Sequence, residues 1–268
     1  MNKSDLRIVF MGTPDFAVES LRKLVENEYK VVGVVTTPDK PVGRHGSMLC
    51  ASPVKEYALS KGLPVLQPEK LKDDTFLAEL RSLQAGLQIV VAFRILPEAV
   101  WDMPRYGTFN LHGSLLPQYR GAAPINWAVI HGEKETGVTT FYLTHGIDTG
   151  RIIRQRRISV TETDHAGIVH DKLMVLGAEL VLETVDLVIA HEGRVETISQ
   201  ENLYSDFPEL RPAPKLYHDT CRINWRQPAC VIYNFIRGLS PYPAAWTEIE
   251  MPDGTFQTLK IYETVIVP

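Results

Sequence analysis

The sequence predicts an α/β fold, a mostly parallel sheet with crossover helices, followed by a small C-terminal β domain. Short β-branched runs recur along the first part of the chain with helical patterns between the early ones. A long apolar helical stretch follows, and beyond a proline-rich segment the pattern changes to one short helix and two alternating strands.

Arg7 to Met11, Val31 to Thr37, Leu87 to Phe93, Thr108 to Leu111 and Val138 to Leu143 read as buried strands, because near-continuous apolar runs of this length suit a sheet covered on both faces. Phe16, Leu21, Leu24 and Val25 mark one face of a helix after Gly12-Thr-Pro14, and Phe76, Leu77, Leu80 and Leu83 mark another begun by Asp73-Asp74. A helix from about Asp164 to Ala190, with Ile168, Leu173, Leu176, Leu180 and Val188 among its apolar positions, closes the first domain at residue 191. Residues 192–215 lose periodicity and gather Pro208, Pro212 and Pro214, the composition of an extended linker. In residues 216–268, Pro228 to Ile236 reads as a short helix with Gly238 at its end, and strands Ala245 to Glu250 and Thr255 to Tyr262 flank Pro252-Asp253-Gly254. This region is expected to be too short to close a barrel by itself.

Composition narrows the function. A formal net charge of −4 gives no overall electrostatic reason for nucleic-acid binding, so such a partner needs a local basic surface. Three cysteines without C-x-x-C spacing argue against a disulfide framework and fit a reduced, cytoplasmic setting. No apolar stretch is long enough to span a bilayer, and the eight histidines form no metal pattern, so neither a membrane nor a metal is expected. Gly12-Thr-Pro-Asp15 occupies the turn where a Rossmann protein holds phosphate. The fold is Rossmann-like, yet only the first glycine of the G-x-G-x-x-G fingerprint is present, so the turn reads as a helix entrance at a cleft edge. Arg151, Arg154, Arg156 and Arg157 form a basic stripe that reads as a charged strand edge, with a phosphate contact as the alternative.

The chemistry concentrates at Asn110, His112 and Asp148. Asn110 and His112 lie at the end of a strand pattern and, by alternation, face one side; ligands gather beyond the carboxyl ends of such strands. Asp148 sits between Gly146 and Gly150. A carboxamide, an imidazole and a carboxylate are what attack on an acyl carbon requires: a donor for the oxygen, a proton carrier and a group that orients it. Each alone also has a plain structural reading, as a turn residue or a half-buried core histidine.

The run Asn110-Leu-His112-Gly-Ser-Leu-Leu-Pro-Gln-Tyr-Arg-Gly-Ala-Ala-Pro-Ile125, with Gly146-Ile-Asp148-Thr-Gly150, closely resembles the folate-dependent formyltransferases. Phe10-Met-Gly-Thr-Pro-Asp-Phe-Ala17, Ser52-Pro-Val-Lys55, Glu133-Lys-Glu-Thr-Gly-Val-Thr139, Arg222-Ile-Asn-Trp225, Ile236-Arg-Gly-Leu-Ser-Pro-Tyr-Pro243 and Trp246 extend the resemblance over nearly the whole chain. It implies a 10-formyltetrahydrofolate donor, an acceptor amine on initiator methionyl-tRNA, a role in translation initiation, and an incomplete OB-like barrel at the C-terminus. It implies no metal and, for this chain, a monomer. Asn110 and His112 are then donors to the formyl oxygen, and Asp148 keeps His112 in a useful protonation state and takes the amine proton directly or through water.

The same resemblance places the pterin against Phe93, Arg94, Ile95 and Leu96 and the Asp148 loop, and borders the folate with Ser114, Leu115, Leu116 and Pro117. Ala92-Phe-Arg-Ile-Leu-Pro97 departs from the tRNA-directed members, which read Ala-Tyr-Gly-x-Ile-Leu-Pro, and is closer to the glycinamide ribonucleotide formyltransferases. The loop after the second strand offers only Lys40 and Arg44 as cations for tRNA, which implies few phosphate contacts. An amino-sugar nucleotide formyltransferase and a formyltetrahydrofolate hydrolase remain the alternatives within the family.

Overall fold

The computed structural model describes residues 1–42 and 48–267; of Val42 and Met48 only the backbone is considered. In chain order the elements are β1 (Ile8–Gly12), α1 (Asp15–Glu26), β2 (Val31–Val35), β3 (Lys40–Val42), β4 (Met48–Cys50), α2 (Pro53–Ser60), β5 (Val65–Leu66), α3 (Asp74–Ser82) and β6 (Leu87–Val91). Then come α4 (Glu98–Trp101), β7 (Thr108–His112), α5 (Pro124–Ile130), β8 (Glu135–Tyr142), β9 (Ile152–Ser159) and α6 (Ala166–Ala190). The C-terminal half adds α7 (Ala229–Leu239), β10 (Ala245–Glu250) and β11 (Phe256–Ile261).

Among the described residues the main sheet has the order β5-β2-β1-β6-β7-β8-β9. It is parallel as far as β7, after which β8 and β9 continue it antiparallel. The inner strands β1 and β6 are buried on both faces, as their near-continuous apolar runs predict. Ile8 and Phe10 of β1 join the core under α1 and α6, while the alternate residues Val9 and Met11 join the core under α3 and α4. Helix starts follow local chemistry. Asp73 caps α3 by accepting from the amides of Thr75 (2.9 Å) and Phe76 (3.3 Å), and Ser52 Oγ caps α2 at 3.1 Å from Lys55 N, with Pro53 in the first turn.

Helix α6 begins two residues later than the apolar pattern alone places it. His165 is its cap, and Asp164 instead receives Lys172 Nζ at 2.7 Å. Leu173, Leu180 and Val188 are buried in α6, whereas Ile168 is exposed and Leu176 only partly covered. Arg154, Arg156 and Arg157 of the arginine stripe lie on edge strand β9 and Arg151 just before it; Arg156 pairs with Glu179 and Glu183 of α6 and Arg157 with Glu135. Charge therefore blunts the sheet edge.

Residues 192–215 are not a free tether. Ile198 pairs with Ile152, Ala213 pairs with Gly121, and a 3-10 turn over Gln200–Asp206 lies between these two anchors. The C-terminal half builds its own small core from Cys221, Ile223, Ile236, Leu239, Ala245 and Trp246, and its sheet among the described residues consists of β10 and β11. Helix α7 packs on α5. Arg237 of α7 is buried and donates to the carbonyls of Thr161 (3.1 Å) and Asp164 (2.7 Å), which ties the two halves together. No described helix is long and apolar enough to cross a membrane.

Candidate active site

Strand β7 delivers Asn110 and His112 to the carboxyl edge of the sheet, two residues apart and on one side as alternation requires. The loop after β8 brings Asp148 to meet them. Its carboxylate Oδ2 stands 3.9 Å from His112 Nδ1 and accepts the Gly121 amide at 2.9 Å. The His112–Asp148 separation is too long for a hydrogen bond, so the two interact through space until a ligand or a small shift closes the gap.

The other His112 nitrogen is committed. Nε2 lies 2.8 Å from the Tyr119 carbonyl oxygen, and a carbonyl only accepts, so Nε2 carries the hydrogen. Nδ1 is therefore the nitrogen presented to Asp148 and to the cavity. His112 is 6% exposed, which removes bulk water from most of the ring. Asn110 is half-buried, and its side chain makes no hydrogen bond among the described residues, leaving its amide free to donate.

Two cavities meet at these residues. One, of about 610 Å³, is lined by Pro14, Phe16, Asn110, His112, Ile125 and Asp148, with His170 of α6 also on its wall. The other, of about 240 Å³, lies between the loops Phe93–Leu96 and Leu143–Asp148, with Val90 and Trp101 behind. Asn110 and Asp148 border both, so groups bound in the two cavities would meet there. Ile95 and Ile147 are 76% and 60% exposed at this junction, apolar surface that a ligand would cover.

Phe93, Arg94, Ile95 and Leu96 all border the smaller cavity. The Arg94 guanidinium donates to the carbonyls of Pro68 (2.7 Å) and Glu69 (3.0 Å), and burial pulls its pKa below the ordinary value. It thus ties the loop to the segment after β5. Ser114, Leu115, Leu116 and Pro117 lie beside the site rather than in either cavity wall. All four are buried and border neither cavity, because the chain after β7 turns behind His112: Ser114 Oγ donates to Gln118 O at 2.6 Å, and Thr139 Oγ1 to Ser114 O at 2.7 Å. Lys40 is exposed on β3, and Arg44 lies outside the described residues. Among the described residues no group of acidic, histidine or cysteine side chains is arranged to hold a metal.

Sequence reasoning missed several contributors. The Tyr119 carbonyl and the Gly121 amide are backbone groups, which no side-chain pattern reveals. Gln200 sits in the proline-rich segment, 2% exposed, and Nε2 donates to the carbonyls of Asp148 and Gly150, both at 2.8 Å.

Residues 6–185 match the family described as formyl transferase, and residues 215–268 match its C-terminal domain. The chain belongs to the formyl transferase family. A protein of Parabacteroides distasonis named methionyl-tRNA formyltransferase is 68% identical over 98% of this chain and 81% of its own length. A protein of the same name from Porphyromonas gingivalis is 52% identical over 100% and 81%. Among solved structures of the fold, a sugar N-formyltransferase from Shewanella sp has a TM-score of 0.69 at 16% identity, covering 98% of this chain and 99% of that one. HypX from Aquifex aeolicus, solved in complex with tetrahydrofolic acid, has a TM-score of 0.65 at 18% identity, covering 92% and 36%. At such identities these two structures share the fold. The cleft that Asn110, His112 and Asp148 border is thus the cleft of a formyltransferase fold, at the carboxyl ends of β6 and β7.

Proposed function

We propose that this formyltransferase moves the formyl group of 10-formyltetrahydrofolate to the α-amine of methionine on initiator methionyl-tRNA, for translation initiation. The observation that carries the acceptor is the 68% identity, along 98% of the chain, to a protein named for that reaction. Residues 1–191 form the catalytic domain, 192–215 the connecting segment and 216–268 the C-terminal barrel region. The enzyme works in the cytoplasm as a monomer.

The residues fit both substrates. A flat pterin suits the smaller cavity, whose walls include Val90, Phe93, Leu96 and Trp101. The apolar walls of the larger cavity at Phe16, Pro124 and Ile125 suit a thioether side chain. Lys40 and Arg44 serve as phosphate contacts.

When bound, the donor supplies the formyl carbon. The neutral amine attacks that carbon, the bond from carbon to the donor nitrogen breaks, and tetrahydrofolate leaves with a proton taken up on that nitrogen, matching the one the amine gives up. Asn110 and the protonated Nδ1 of His112 donate to the formyl oxygen as negative charge gathers on it; one such donor is worth roughly 3 kcal/mol in acyl transfer. Asp148 accepts the amine proton directly or through one water.

The test is tetrahydrofolate formation from 10-formyltetrahydrofolate with three acceptors: charged initiator tRNA, an amino-sugar nucleotide and water. Turnover is expected with the charged tRNA. Turnover confined to the sugar, or formate release independent of acceptor, overturns the reading.

A further inference from the structure

We infer that Gln200, in the segment joining the two halves of the chain, is a positioning residue for Asp148 in formyl transfer; this rests on the role proposed for Asp148 above. Asp148 occupies the left-handed region, with φ +53. A non-glycine residue there costs about 1–2 kcal/mol and persists only when its surroundings hold it. Three hydrogen bonds from two groups hold this loop here. The Gly121 amide takes the carboxylate at 2.9 Å, and Gln200 Nε2 takes the Asp148 carbonyl and the Gly150 carbonyl, each at 2.8 Å.

The orientation of the Gln200 amide is chemically forced. Two carbonyls need donors, and the guanidinium of Arg120 needs an acceptor, which Oε1 provides to Nε at 2.9 Å and also to Nη2. All four hydrogen-bonding sites of the Gln200 side chain are therefore used. Arg120 is held in turn by the Tyr204 hydroxyl at 3.3 Å, with its guanidinium 5.8 Å from the Tyr204 ring centre. Because Arg120 and Gly121 are chain neighbours, the contacts close a ring: Gly121 to the Asp148 carboxylate, Arg120 to Gln200, Gln200 to the Asp148 main chain. The adjacent Ile198–Ile152 backbone pair, at 2.8 and 2.9 Å, fixes the register from which Gln200 reaches in.

Removing the two donors strands two carbonyls and frees Asp148 to leave the left-handed region. Its carboxylate then leaves His112. A displacement of about 1 Å at such a group is worth up to about a hundredfold in rate. The segment between the halves is thereby part of the formyl-transfer machinery.

The experiment is a double-mutant cycle in the full chain, read as tetrahydrofolate formation with charged tRNA, amino-sugar nucleotide and water. Gln200→Met, which keeps the packing volume, is expected to lower kcat about tenfold with both KM values within about threefold of wild type. In an Asp148→Asn background the same substitution is expected to change the residual kcat less than about twofold, because it acts through Asp148. Wild-type kcat in Gln200→Met, or a penalty carried in full into the Asp148→Asn background, overturns the inference. If Gln200→Met does not fold, Gln200→Glu decides by the same criteria, since it keeps the acceptor for Arg120 and loses the donors. A wild type inert with tRNA but active with another acceptor overturns only the acceptor reading, and the cycle is then scored on that acceptor. A wild type inert with all three overturns both.

Discussion

His112 Nε2 lies 2.8 Å from the carbonyl oxygen of Tyr119, and this contact decides which imidazole nitrogen can work. The carbonyl is itself well held. The Tyr119 amide donates to Arg211 O at 2.7 Å, and the Tyr119 hydroxyl donates to Glu133 at 2.5 Å, an interaction that follows burial in pushing the phenol pKa upward. With Nε2–H fixed on a rigid acceptor, Nδ1 is left for the formyl oxygen and Asp148.

This asymmetry predicts different outcomes for two amides at position 112. The amide nitrogen of Asn overlays Nδ1, and that of Gln overlays Nε2. Both variants lose the proton carrier, so both are expected to fall well below wild type in kcat. His112→Asn retains a donor towards the formyl oxygen and is expected to exceed His112→Gln by about tenfold or more, short of the full worth of an oxyanion donor. Equal rates in a single-turnover assay would show that Nδ1 is not the working atom.

Asn110 carries the simpler prediction. Its amide borders both cavities and is not engaged elsewhere among the described residues, so its role is to meet charge that develops during reaction. Asn110→Ala is expected to reduce kcat about a hundredfold or more, with small changes in Tm because no internal hydrogen bond is lost. A large rise in KM at unchanged kcat would assign Asn110 to ground-state binding instead.

The strands that form the site were legible because their burial is two-sided: Ile8–Gly12 and Leu87–Val91 are apolar at nearly every position and leave a plain signal. Asn110, His112 and Asp148 stood out as polar groups in glycine- and proline-rich stretches beside those strands. What holds them did not. The Tyr119 carbonyl and Gly121 amide have no side-chain signature, and Gln200 reaches Asp148 across 52 positions from a segment without periodicity. The turn that carries Ser114 to Pro117 behind His112 is likewise invisible in their nearness in sequence to it. β9 was legible only as a charged strand edge, because its arginines interrupt the apolar run that marks the inner strands.

Gly121 joins the site to the connecting segment and tolerates nothing larger. Its φ is +128, and a Cβ there would stand 2.4 Å from the Ala213 carbonyl oxygen. Gly121→Ala must therefore push residues 211–213 away or move its own amide off Asp148. The expected cost is about 2–4 kcal/mol of stability by chemical denaturation, together with a fall in kcat beyond the unfolded fraction. Loss of stability with full specific activity of the folded protein would show that the amide contact to Asp148 is dispensable.

Asp164 predicts how the junction between the halves responds to acid. Burial alone would raise its pKa, but Lys172 Nζ at 2.7 Å and the Thr161 amide at 2.9 Å outweigh that and hold it below the usual value. A carboxylate whose folded-state pKa is depressed adds stability above the unfolded value of about 3.9, and that contribution disappears as pH falls through the folded-state pKa. The Asp164 carbonyl also receives Arg237 from α7, so weakening this turn weakens the seat of the C-terminal half. Asp164→Asn is expected to lower stability by about 1.5–3 kcal/mol at pH 7, the range for hydrogen bonds to a charged group. Wild type and variant should converge as pH drops below the folded-state pKa, where the wild-type carboxyl is neutral too. Thermal unfolding followed from pH 7 to pH 2.5 measures the gap, and a gap that stays constant over that range would show that the Lys172 pair contributes nothing to the junction.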